Sequence, residues 1–175
     1  MTEEQRVELI RPGVKGAGRT WADLGAGSGA FTRTLASLLV PGARIYAVDR
    51  DERVLRSLPR EASGVSIQCV TADLTRELSL PPLDGVLLAN SLHFQADASQ
   101  ALRAAARWLK PGAPLIVVEY DTSRANPWVP HPVPWSELPV VVESAGLVDV
   151  RRLGVVPSSY HGSMYAAVCR RPASG

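Results

Sequence analysis

The sequence predicts a single domain of the α/β class, with a doubly wound, mostly parallel sheet and helices on both faces. Three observations carry that expectation. Strand-like and helical segments alternate along the chain, as in successive βαβ units. Several strand-like runs hold a continuous apolar stretch, Val86 to Ala89 and Leu115 to Val118 among them, which suits strands covered on both faces. A glycine-rich turn, Gly25 to Gly29, joins the first strand to the first long helix, at the edge where such sheets bind ligands. The 175 residues, 46% hydrophobic and 21% charged, suffice for one domain with a substantial core.

The elements follow in order. Thr2 to Leu9 predicts a short helix, with Thr2 and Gln5 at capping-box spacing. Arg11-Pro12-Gly13 and Gly16-Ala17-Gly18 read as a loop, so residues 1–18 form a short N-terminal helix and loop. Arg19 to Leu24 is the first strand, and Ala30 to Leu39 a helix stopped by Pro41-Gly42. Arg44 to Val48 is the second strand, and Asp51 to Leu58 a helix with an acidic start that suits its dipole. Val65 to Val70 and Leu83 to Ala89 are the third and fourth strands. Ala96 to Leu109 is a helix with Asp97 as N-cap, stopped at Lys110-Pro111-Gly112, and Pro114 to Tyr120 is the fifth strand. Residues 126–139 carry too much proline for regular structure through their middle. Ser136 to Ala145 is a helix entered from that loop, and Leu147 to Leu153 and Met164 to Arg170 complete the sheet.

Composition excludes some functions and leaves others open. A net charge of +2 does not argue for nucleic acid. No apolar run is long enough to span a bilayer, so no membrane role is expected. The acidic start Met1-Thr2-Glu3-Glu4 is unlike a signal peptide, and the cytoplasm is the expected compartment. Cys69 and Cys169 lie a hundred residues apart in apolar runs, without metal-ligand spacing, so no metal site is expected.

The segment Asp23-Leu24-Gly25-Ala26-Gly27-Ser28-Gly29 carries the chemistry. Its glycines permit a tight turn and close approach of a ligand to the backbone. A dinucleotide would bring a pyrophosphate, which Asp23 repels. S-adenosylmethionine would bring an ammonium, which Asp23 attracts. The spacing G-x-G-x-G also departs from the G-x-G-x-x-G of dinucleotide folds. Both points favour the methyl donor over a nicotinamide cofactor. Asp49, ending the second strand, suits the two ribose hydroxyls of an adenosine. Asp73, ending the third, suits the adenine amine, with Leu74 against the ring.

With Asp84 to Phe94 and the Leu109-Lys110-Pro111-Gly112 turn added, the sequence resembles the Rossmann-like class I S-adenosylmethionine-dependent methyltransferases over roughly residues 19 to 120. The resemblance implies a seven-stranded sheet in the order 3-2-1-4-5-7-6, its last strand antiparallel. It implies S-adenosylmethionine as cofactor, held by Asp23, Gly25, Ala26, Gly27, Ser28, Gly29, Asp49 with its neighbour Arg50, Asp73, Leu74 and Asn90.

The acceptor is expected beside the methionine end of the cofactor. His93 and Tyr120 are candidates for contact or catalysis there, and the 126–139 loop is expected to lie over the site. Because the sulfonium is already activated, alignment and exclusion of water suffice, and a base is needed only if the acceptor keeps its proton. Asn90-Ser91-Leu92-His93 differs from the Asn/Asp-Pro-Pro-aromatic pattern of enzymes that methylate nucleobase amines. A small-molecule acceptor is therefore the first expectation, and RNA or protein the second. A cofactor-binding subunit without activity and, less favoured, a nicotinamide-dependent oxidoreductase remain as alternatives.

Overall fold

The structure, a computed structural model, describes residues 1–73, 78–158 and 162–173. The strands are β1 (Thr20–Leu24), β2 (Arg44–Asp49), β3 (Glu61–Ala62), β4 (Val65–Thr71), β5 (Gly85–Ala89), β6 (Pro114–Tyr120), β7 (Val148–Pro157) and β8 (Ser163–Arg170). The helices are α1 (Glu3–Val14), α2 (Ala30–Leu38), α3 (Glu52–Leu55), α4 (Ala98–Ala106) and α5 (Leu138–Ser144). The strands form one sheet in the order β3-β4-β2-β1-β5-β6-β8-β7. β4, β2, β1, β5 and β6 are parallel, and β8 inserts antiparallel between β6 and β7.

The class is the one predicted, with eight strands rather than seven. The addition is β3, which pairs Glu61 with Ser66 and Ala62 with Val65 at the sheet edge. Ser63 and Gly64 both have positive φ, 52° and 72°. Such a pair closes a two-residue hairpin whose twist matches its strands. Without β3, the order is that implied by the resemblance.

α1 is longer than predicted. Its capping box forms as expected, Thr2 Oγ1 accepting from the Gln5 amide and Gln5 Oε1 from the Thr2 amide. The helix continues through Pro12 to Val14. Proline removes a bond to the carbonyl four residues back, which belongs here to exposed Glu8 and can be met by water. Leu9, Ile10 and Val14 are buried on the sheet, so packing overrides the proline signal.

Alternating residues of each strand feed two layers. Trp21, Ile45, Leu87 and Ile116 pack with α1 and α2. Ala22, Val48, Leu88 and Val117 pack with α4 and α5. Asp97 caps α4 as expected, accepting from the Gln100 amide.

The cysteines lie in β4 and β8, with four strands between them. At the usual strand spacing this is roughly 24 Å, against the ~7 Å Cα limit for a disulfide. Burial also pushes the Cys169 thiol up to about 12. Non-reducing mass spectrometry should find two free thiols, and reductant should leave the melting temperature unchanged. A mass lower by two protons would contradict the strand order.

Candidate active site

The parallel strands point their C-terminal ends to one edge of the sheet. There β1 ends at Leu24 and the chain turns through Gly25 to Gly29 into α2. The turn is tied to β2, because the Gly25 and Ala26 amides both donate to the Val48 carbonyl, at 2.8 and 2.9 Å. Two glycines in it have different reasons. Gly25 has φ 82°, and a Cβ there would stand 2.4 Å from Ser91 Cβ. Gly27 has φ 52°, and a Cβ there would meet nothing within 4 Å. The turn thus presents bare backbone to open space, the form that lets a ligand approach closely.

Below the turn lies Asp23, 1% exposed. Its Oδ2 accepts from Thr32 Oγ1 at 2.6 Å, while its Oδ1 has no partner among the described residues. Burial raises its pKa to about 6 against the pull of Thr32, and Asp49 adds to the rise. A buried carboxylate oxygen left unpaired costs free energy, and a cationic ligand group would relieve that cost. The same holds on a smaller scale at Asn90, whose Oδ1 is buried without a partner among the described residues and whose backbone takes φ 54° at the end of β5. Both atoms fit the ammonium and nearby donors of a methionyl group.

Asp49 ends β2 and touches the turn. Its Oδ2 accepts from the Gly27 amide at 2.8 Å and its Oδ1 from the Asp51 amide at 2.9 Å. Each oxygen keeps a lone pair for a further donor. Asp73 is half-buried just beyond β4, beside Asp49, whose carbonyl accepts from the Ala72 amide. Arg50 and Ser28 are exposed, and Ala26 packs on Leu55 and Leu58. Leu74, expected against the adenine, lies outside the described residues. The structure thus brings Asp23, the glycine turn, Asp49 and Asn90 to one edge.

A cavity of about 200 Å³ opens beside Asn90 at the ends of β5 and β6. Tyr120, Phe31, Met164 and Arg6 are among its walls, and His93 is not. His93 is buried in the short 3-10 turn Leu92–Phe94, between the rings of Phe94 and Tyr120. Its Nδ1 lies 2.6 Å from Glu119 Oε2. Glu119 Oε1 accepts from the Leu92 and His93 amides at 2.9 and 3.3 Å. Glu119, 1% exposed, was missed by the sequence reading. Its signal was a lone carboxylate closing an otherwise apolar strand.

The 126–135 segment does not line this cavity. It is fastened by the His131 amide to the His93 carbonyl and by the Trp135 amide to Asp121 Oδ1. Trp135 packs edge-on against Tyr165, 5.8 Å between ring centres, with the Arg152 guanidinium over its ring. Trp128 is 81% exposed.

Comparison with known proteins agrees with the geometry. Residues 22–117 match the family model described as a methyltransferase domain, and the chain belongs to that family. Its fold is that of the class I S-adenosylmethionine-dependent methyltransferases, as the Asp23–Gly29 segment implied. The chain is 31% identical over 137 residues to a release factor glutamine methyltransferase of Mycobacterium leprae, covering 60% of itself and 47% of that protein. It is 25% identical over 183 residues to a probable cobalt-precorrin-6B C(15)-methyltransferase (decarboxylating) of Thermoplasma volcanium, covering 98% of itself and 83% of that protein. In structure it resembles magnesium protoporphyrin IX methyltransferase of Synechocystis, with a TM-score of 0.72 and 19% identity, over 96% of this chain and 79% of that one. The chain spans less than half the length of several curated relatives that it matches.

Proposed function

We propose that the protein binds S-adenosylmethionine and transfers its methyl group to a small-molecule acceptor held at the ends of β5 and β6. The observation that carries this is the Asp23 carboxylate, buried below the open Gly27 turn with one oxygen unpaired among the described residues. That charge suits an ammonium and opposes a pyrophosphate. The Synechocystis relative was solved with S-adenosylmethionine bound, which supports the same reading.

The cofactor supplies a methyl group already activated by the sulfonium. The chain's own residues bind and align. Asp23 takes the ammonium, with the backbone of Gly25, Ala26, Gly27, Ser28 and Gly29 against the methionyl chain. Asp49, fixed by two backbone amides, offers its remaining lone pairs to the ribose hydroxyls. Arg50 and Asp73 lie along the adenosine. Asn90 and Tyr120 border the space into which the methyl group points, and His93 braces Tyr120 from behind. No base is required of a nucleophile that has already lost its proton.

The small-molecule class rests on the small cavity and on relatives named for precorrin and porphyrin acceptors. Calorimetric titration tests the reading. S-adenosylmethionine and S-adenosylhomocysteine should bind, and NAD should not. Asp49→Ala should weaken binding by about 1.5–3 kcal/mol, the range for hydrogen bonds to a charged group. Tight NAD binding with no response to the methyl donor would refute it.

A further inference from the structure

The cavity beside Asn90 has a chemical asymmetry that methyl transfer alone does not explain. Its walls include Phe31, Met164 and Pro157, which are apolar, and among the described residues no carboxylate lines it. The charged side chain on its wall is Arg6, projecting from α1.

Arg6 is half-buried and held by neutral groups. Its Nε donates to Thr34 Oγ1 at 3.2 Å and its Nη1 to the Met1 carbonyl at 3.1 Å. Thr34 Oγ1 is itself oriented, donating to the Ala30 carbonyl at 3.0 Å. A guanidinium carries five N–H protons. Those remaining, including both on Nη2, meet no acceptor among the described residues. Glu4, whose carboxyl feels the Arg6 charge among other influences, is fully exposed and forms no ion pair with it. The chain thus fixes the direction of a cation at the cavity wall, and among the described residues that cation has no counter-ion.

An arginine held in this way is a preformed fork for a planar anion, and a carboxylate pairs with it by two parallel hydrogen bonds. We propose that the methyl acceptor is an amphipathic acid: an apolar body lies against Phe31 and Met164, and a carboxylate pairs with Arg6. This rests on the methyltransferase reading, because it places the acceptor where the methyl group points. It adds that α1 contributes to substrate choice besides covering the sheet. A neutral isostere would leave the Arg6 donors unpaired in a partly dry site, which is how polar recognition discriminates strongly.

The test uses the whole chain saturated with S-adenosylhomocysteine. A panel of aryl and alkyl monocarboxylic acids is titrated beside the matching primary carboxamides. At least one acid should bind about tenfold or more tighter than its amide, the scale of a charge-assisted pair. Arg6→Ala and Arg6→Gln should each abolish that preference and leave S-adenosylhomocysteine affinity within about twofold. The glutamine variant keeps a side chain able to reach Thr34 should the alanine variant loosen α1. A panel in which no acid outbinds its amide overturns the proposal, as does a preference that survives both substitutions. A loss of S-adenosylhomocysteine affinity of about tenfold in both variants also overturns it, assigning Arg6 to the cofactor's own carboxylate. Failure of the unsubstituted chain to bind S-adenosylhomocysteine appears before any acid is added, and refutes the methyltransferase reading itself.

Discussion

Asp23→Asn is expected to weaken S-adenosylhomocysteine binding by 3 kcal/mol or more, about 150-fold, while making the free protein more stable at neutral pH. Both effects come from one buried carboxylate. Its pKa stands at about 6 in the folded chain against an ordinary 3.8, chiefly because burial disfavours the charge. Between these values the folded chain holds a proton that the unfolded chain has released. Stability therefore falls as pH rises from about 4 to 6, and the cost persists above 6. Two pKa units correspond to about 3 kcal/mol. Asparagine carries no charge and should recover about 1–3 kcal/mol of this at pH 7.5, and nothing at pH 4. Urea unfolding at the two pH values measures it. Equal destabilisation at both would show that Asp23 is a structural partner of Thr32 and little else. In the unsubstituted protein, binding of the ammonium requires the ionised carboxylate. Affinity should fall about tenfold per pH unit once pH drops below 6, with proton release on binding.

The second large effect is on stability. Glu119→Ala should cost about 3–5 kcal/mol in urea unfolding. Glu119 Oε1 accepts from the Leu92 and His93 amides and Oε2 is hydrogen-bonded to His93 Nδ1, all buried. Truncation leaves these donors unpaired without water to meet them. The turn Leu92–Phe94 should loosen, and the 126–135 segment with it, since the His131 amide is bonded to the His93 carbonyl. A loss below 1 kcal/mol would show that the turn is held by packing alone.

The residues explain which parts of this structure were legible beforehand. β2, β5 and β6 could be read because they are mainly apolar runs closed by polar residues, and β4 because Val65 and Ile67 alternate with exposed Ser66 and Gln68. The placement of Asp23 and Asp49 at one sheet edge could be read because each stands at the end of such a strand. The same apolar continuity hid Glu119, since a strand buried on both faces gives no alternation to mark an inward side chain. α1 was cut short because Pro12 is a local signal, whereas the burial of Ile10 and Val14 depends on strands more than a hundred residues away. β3 was missed because its two residues carry no periodicity, although Ser63-Gly64 suits a hairpin turn. Arg6 had no signal, because its meaning lies in the cavity formed by α1, α2 and the ends of β5, β6, β7 and β8.

The proposed role of buried Asp23 is to receive the amino group of S-adenosylmethionine. The direct measurement is calorimetric titration at pH 7.5 with S-adenosylhomocysteine and with its analogue lacking the α-amino group. The unsubstituted protein should bind the amine-bearing compound about a hundredfold tighter, and Asp23→Asn should bind the two with nearly equal affinity. Equal affinity of the unsubstituted protein for both compounds would contradict the account.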